Sequence, residues 1–384
     1  MEAYQPLRNF AIIALITYIL AGNKNKVPFL SVKINRYFVL FVILQILSSS
    51  KLWMSAGIET LNLWIRLGLV YFLIFKSVTD INKIKWVGFM IILGSGYLSY
   101  YSILTFVIHY MPGARANGFG WYENSNDLSM ILVAIIPLLL LLVNTSRNLV
   151  LKYLFLGIAG LFSFNILFTS SRNGLLGLCS VGVLCLLVSK KIAKPVRLVL
   201  LVILFASVVG VGVANVLSRS DLSGLTGDDS SESRKEQWKA GIRMTLANPL
   251  FGVGRGEFRY RAIDYQGIKG MEPHNTIIQV FGETGIPGGI FYILFAIFPI
   301  FEGFKLLRRI ETDKLETEGF IAYKFLLIAL TGFWVCAFFS NRYHAYILYV
   351  VVALIAAVKE NIIYNQLGSK YLNIKGTIKE SVKR

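Results

Sequence analysis

Apolar residues in this chain fall in long uninterrupted runs, at about 8–21, 37–50, 57–76, 86–108, 128–143, 149–168, 173–189, 195–216, 286–304, 319–339 and 343–358, with short polar gaps between most of them. A helix that crosses a bilayer needs roughly 20 mostly apolar residues. The runs therefore predict an all-α, polytopic integral membrane protein of about eleven transmembrane helices, or twelve if one span is hidden in the pattern. The polar gap from Ser218 to Thr284 is far longer than a helix connector requires. It predicts one large extracytoplasmic loop containing short helices, and it divides the chain into N-terminal transmembrane helices (1–217), that loop (218–285), C-terminal transmembrane helices (286–358) and a basic tail (359–384).

Composition agrees with a lipid solvent: 55% of residues are hydrophobic, 16% are charged, and mean hydropathy is +0.62. The formal charge of +18 is a different matter. A nucleic-acid-binding protein concentrates such charge on one soluble face, whereas here Lys and Arg sit in every second gap: Lys24 to Arg36, Lys76 to Lys85, Arg147 and Lys152, Lys190 to Arg197, Lys305 to Lys314, and the tail from Lys359. By the positive-inside rule those gaps are cytoplasmic, the C-terminus is cytoplasmic, and the alternate gaps face outward from the cytoplasmic (inner) membrane. The first apolar stretch reads as a retained helix rather than a signal peptide, because Glu2 accompanies Arg8 and no small-x-small cleavage site follows. Cys179, Cys185 and Cys336 lie inside apolar runs without metal-ligand spacing and read as small core residues.

The candidate chemistry is on the outward side, where all three histidines, His109, His274 and His344, are found. Ser233-Arg234-Lys235-Glu236 has the form of a capping box opening a helix through Trp238 that stops at Asn248-Pro249, which would put Arg234 in a first turn. First-turn N–H groups attract anions and a guanidinium adds a fork suited to phosphate, although a solvated arginine over a packed Trp238 has the same sequence. Thr169-Ser170-Ser171-Arg172-Asn173 is a short outward turn whose arginine can serve a phosphate or anchor an interface. His274 precedes a helix capped by Asn275 or Thr276, so the helix dipole should keep its imidazole neutral and able to take a proton from a hydroxyl.

The Gly252-Val253-Gly254-Arg255-Gly256 stretch lacks dinucleotide-binding spacing and reads as a tight turn presenting Arg255. Gly285-Ile286-Pro287-Gly288 should break the helix that begins near Asn275, so that residues 275–284 dip into the membrane face rather than cross it. The gap from His109 to Asp127 holds Asn117, Trp121, Tyr122, Glu123, Asn124, Asn126 and Asp127, groups that stack on and hydrogen-bond to sugars and that equally make an interfacial aromatic belt. Asp228, Asp229 and Glu232 could attract a divalent cation, yet their Ser and Gly neighbours fit a solvated stretch better, and no metal site is expected.

Taken in order, Ser171-Arg172, then Ser233-Arg234 with Trp238, Asn248-Pro249 and Gly252-x-Gly254, then His274-Asn275, nine residues and Gly285-x-x-Gly288, resemble the O-antigen ligase and Wzy-type polymerase superfamily of membrane glycosyltransferases over about residues 117–305. The resemblance implies transfer of a glycan from an undecaprenyl-diphosphate carrier to an acceptor hydroxyl, such as one on a lipid A-core or another glycan or lipid, at the external face. It further implies His274 as general base and Arg172 and Arg234 as holders of the diphosphate in an inverting displacement that requires no cofactor. Arg255, Asn275, Trp238 and Asn124 are then candidates for substrate binding, and 218–285 becomes the catalytic loop. Ligases of this type commonly have about twelve helices with both ends cytoplasmic, one more than the runs give. The full His-Asn signature favours a ligase, a polymerase being the alternative with the same base and arginines. A transporter or flippase is the reading from another class, but it calls for paired ionisable groups at mid-depth, and most apolar runs carry no charge there, Arg66 and Lys324 being the exceptions.

Overall fold

A computed structural model describes residues 18, 27–50, 54–109, 114–188, 229–312 and 317–364. The apolar runs at 8–21 and 195–216 fall almost wholly outside those residues, as do the start of the long loop and most of the basic tail. The described residues are helical and contain no strand. In chain order the helices are α1 (Lys33–Ser50), α2 (Met54–Ser77), α3 (Ile81–Ile108), α4 (Ser125–Thr145), α5 (Leu149–Phe168), α6 (Arg172–Val188), α7 (Asp229–Ala247), α8 (Thr276–Ala296), α9 (Phe298–Thr312), α10 (Glu318–Ala337) and α11 (Tyr346–Ala357). Among the described residues seven segments are long and apolar enough to cross a bilayer, and α6 is apolar but shorter.

Burial sorts these helices into layers. α4 and α10 are buried nearly all round, as expected of the central members of a bundle. On α3 and α5 large apolar side chains stay exposed at helical spacing, among them Trp86, Met90, Leu93 and Tyr97, and Val150, Leu154 and Leu161. Such stripes on outer helices suit acyl chains. Buried polar groups are tied between helices: Tyr71 donates to Asn35 at 2.7 Å, and the Asn165 amide donates to Ser99 Oγ at 2.9 Å. In lipid these hydrogen bonds give helix pairs their register, because apolar contact alone distinguishes little there.

Polar contacts between the helices gather at two ends of the bundle. One end carries the basic gaps, with Lys85 paired to Glu318 at 3.0 Å and Asn361 donating to Val78 O at 2.8 Å. At the other end the starts of α4, α6, α8 and α11 meet the end of α10. There Ser340 donates to Asp127 at 3.0 Å, Asn173 to Phe339 O at 2.8 Å, and Thr276 to Ser340 O at 2.8 Å.

Gly285, at φ 72° and ψ −173°, divides α8 into Thr276–Thr284 and Ile286–Ala296. The first part is too short to cross a bilayer on its own, at about 1.5 Å of rise per residue. The interruption leaves the carbonyls of Gly282 and Glu283 without helical donors. The 249–254 turn supplies them: Val253 N donates to Gly282 O and Gly254 N to Glu283 O, both at 3.0 Å, while Ile286 N returns a hydrogen bond to Pro249 O at 2.7 Å. The two glycine motifs of the sequence are thus one backbone clasp. A Cβ at Gly285 would lie 2.6 Å from Pro249 O in a conformation open essentially to glycine alone. Gly285→Ala is expected to cost roughly 2 kcal/mol or more, seen as a lowered Tm of the detergent-solubilised protein; an unchanged Tm would mean that the clasp contributes nothing.

Candidate active site

The turn between α5 and α6 is held by the segment that leads into α4. Ser171 is fully buried, accepts from Gly174 N at 3.1 Å and donates to Asn126 Oδ1 at 2.7 Å. Arg115 reaches Thr169 O at 2.8 Å from the same segment. Arg172 is therefore the first residue of α6, exposed at its N-terminal end, where backbone N–H groups and the helix dipole already favour an anion.

Arg234 arrives from α7. That helix is already formed at Asp229, the first described residue of this stretch, so Ser233 lies inside it and is not its cap, and Arg234 lies beyond the first turn. The anion-attracting helix end anticipated beside Arg234 is accordingly not its setting; the helix face is. Arg234 and Trp238 stand one turn apart on one side. Trp238 Nε1 donates to Pro273 O at 2.7 Å, its ring meets Phe338 edge-on, and Gln237 bridges Ile268 O and Met271 O. These contacts press α7 against the strand of chain that delivers His274, and Arg234 becomes half-buried beside it. Burial, together with the neighbouring Arg172, lowers the Arg234 pKa from its ordinary value.

His274 sits at φ 45°, left-handed backbone that is uncommon for a non-glycine residue. Its neighbours impose this: Asn275 caps α8, its side-chain oxygen accepting from Ile277 N and Ile278 N at 3.0 Å, and Thr276 is pinned to Ser340 O. The imidazole pKa is lowered by burial first, then by Arg234, with Asp127 opposing and Arg342 adding to the fall. Neutral imidazole is consequently the resting form near pH 7. The same causes place Arg172, Arg234, His274 and the Asp127–Arg342 ion pair within electrostatic reach of one another at one end of the bundle.

The remaining sequence candidates are arranged differently. Asn275 and Asn124 both cap helices, Asn124 accepting from Asn126 N at 2.8 Å. Trp238 packs the loop helix down. Arg255 lies within electrostatic reach of Tyr343 and His344 and is not among the groups that shift Arg234 or His274. Glu232 pairs with Lys235 at 3.1 Å on the exposed start of α7.

Glu272 and Arg342 were given no role by sequence, and Asp127 was named only among the polar groups of the 109–127 gap. Arg342 donates to Asp127, whose other oxygen accepts from Ser340, and Glu272, its pKa raised by burial, accepts from Gln279 at 3.2 Å. A usable signal existed: in a chain whose Lys and Arg gather on one side, an arginine such as Arg342 in a short gap on the other side is out of place unless it has a task.

Against known proteins, residues 157–293 match the family model Wzy_C, described as O-antigen ligase. Over that stretch the chain resembles the O-antigen ligase and polymerase superfamily of membrane enzymes. The match takes in Arg172, Arg234, Arg255 and His274 and leaves Asp127, Arg342 and His344 outside it. No curated protein matches the chain.

Proposed function

We propose that this protein, which matches the O-antigen ligase family model over 157–293, transfers a glycan from undecaprenyl diphosphate to an acceptor hydroxyl on the extracytoplasmic side of the cytoplasmic membrane. The observation that carries the proposal is the meeting of a neutral, half-buried imidazole with two arginines at the bundle end remote from the basic gaps.

The chemistry needs little more. His274 accepts the hydroxyl proton as the acceptor oxygen attacks the anomeric carbon. The bond from that carbon to the diphosphate oxygen breaks, and its electron pair leaves with the carrier diphosphate. Arg172 and Arg234 offer guanidinium forks to the phosphate oxygens, on which negative charge grows as the bond breaks. Arg234 suffers repulsion from Arg172 until an anion arrives, so the pair is arranged for a ligand with more than one charge. Direct displacement inverts the anomeric configuration.

A ligase moves finished polymer to a lipid or glycan acceptor, and we assign this chain to that branch on the His274-Asn275 to Gly285-x-x-Gly288 signature. Chromatography of the carrier-linked pool from a deletion strain checks the assignment. Long polymer retained on the carrier is the expected result; single repeat units would transfer the chain to the polymerase branch, and an unaltered pool would remove the glycosyltransferase reading.

A further inference from the structure

The clasp that joins the 249–254 turn to α8 holds Arg255 more firmly than a surface turn requires. Arg255 lies between Gly254 and Gly256, at φ 106° and 78°. Glu283 grips both sides of it, its carbonyl accepting from Gly254 N at 3.0 Å and its carboxylate from the Gly256 backbone. That carboxylate also accepts from Tyr343 OH at 2.7 Å and Gln279 Nε2 at 3.1 Å, and so is fully engaged. The Arg255 guanidinium has no such partner: it is half-buried, its Nε is shut off from solvent, and among the described residues it makes no hydrogen bond or ion pair.

What faces Arg255 deepens the imbalance. Nearby are His344, with a buried and unbonded Nδ1, and Arg342, whose Nε is also buried and unbonded although its far nitrogen holds Asp127. His344 is pushed down to about 3 by burial, Arg255 and Arg342, so it brings no charge at neutral pH. Trp121 stands edge-on to the His344 ring at 5.3 Å. A partly desolvated cation without a counter-charge is costly to keep, and two guanidinium N–H groups beside a neutral ring nitrogen suit an oxyanion.

We infer that Arg255, with Arg342 and His344, forms a second oxyanion subsite, separate from the Arg172–Arg234 pair, and that it receives a phosphate or carboxylate carried by the acceptor. The inference rests on the transfer reading for its biological meaning, but the site itself does not. Arg342 links the two centres, since it acts on both His274 and His344. An acceptor anchored at Arg255 by its anionic group would present a neighbouring hydroxyl toward His274 and leave the other arginines to the donor.

Two measurements test this. In the first, the full-length protein in lipid nanodiscs is titrated calorimetrically with inorganic pyrophosphate. The native protein should take up two equivalents, Arg255→Gln one, and Arg172→Gln/Arg234→Gln the other one. A single equivalent that survives Arg255→Gln overturns the second subsite. In the second, transfer is assayed with envelope acceptor left intact, treated with phosphatase, or capped at carboxylates with a carbodiimide and an amine. The native protein should prefer the intact acceptor by about tenfold or more in kcat/KM, as one charge-assisted contact would give. That preference should collapse in Arg255→Gln while the donor KM shifts less than twofold, and whichever treatment abolishes it identifies phosphate or carboxylate. Equal use of all three acceptors, or a rise in donor KM instead, overturns the acceptor assignment. Two equivalents bound without any transfer would leave the subsite standing and remove the glycosyltransferase reading alone.

Discussion

Replacing His274 with alanine is expected to lower the rate of glycan transfer by at least about 10²-fold, the lower range for loss of a general base, in protein that inserts into the membrane at the native level. A diphosphate leaves readily once its charge is met, so the remaining barrier lies in the weak nucleophilicity of the acceptor hydroxyl. Only a neutral imidazole relieves that, and His274 is kept neutral by burial and by Arg234. The sign for pH follows: activity requires the unprotonated form, the pKa is lowered, and kcat/KM should therefore fall only on acidification below the ordinary histidine range, with an apparent midpoint under 6.5. A midpoint above it would exclude His274 as the group observed. Because φ is 45° here, alanine adds backbone strain of about 1 kcal/mol relative to a residue at ease in that conformation. His274→Asn avoids it, since asparagine accepts left-handed backbone, and should be as inactive while retaining the native Tm. Near-native transfer by His274→Asn would sink the mechanism.

How far the sequence discloses this site depends on the range of the interaction that forms it. The apolar runs that fall among the described residues became helices within a few residues of their expected limits, as at 149–168 and Leu149–Phe168, because length and apolarity are local properties that a bilayer reads directly. Asn275 as a helix cap was legible for the same reason. The capping box at Ser233 was legible too, and misleading. α7 is already helical at Asp229, so Ser233 and Glu236 lie inside it, and a Ser-x-x-Glu pattern is compatible with a helix interior as well as with its start. The Asp127–Arg342 pair joins residues 215 apart in sequence, and no spacing rule spans that distance. The glycine motifs are the instructive case: Gly252-x-Gly254 and Gly285-x-x-Gly288 were visible separately, but their common cause is the set of carbonyls that one break exposes and the other turn satisfies.

Arg234→Lys is expected to reduce kcat/KM by about 10²-fold, the cost typical of removing one preorganised donor of developing negative charge, although the formal charge is unchanged. An ammonium offers a point charge on a flexible stem where the guanidinium offers a planar fork to two oxygens. The loss should fall on kcat as well as on the donor KM, since charge on the leaving diphosphate grows toward the transition state. Stability should move the other way. Arg234 is half-buried and repelled by Arg172, so a side chain that sheds its charge more readily on burial relieves the native state, and Tm should hold or rise. Arg243 on the same helix is exposed and donates to Tyr265 O at 3.2 Å; Arg243→Lys should stay within about twofold of native activity, as surface substitutions do. Thermal unfolding measured beside donor-dependent kinetics separates the outcomes. A lowered Tm with proportionate loss of activity would make Arg234 a structural residue. Full activity with a raised Tm would mean that the two arginines repel each other with no diphosphate to hold.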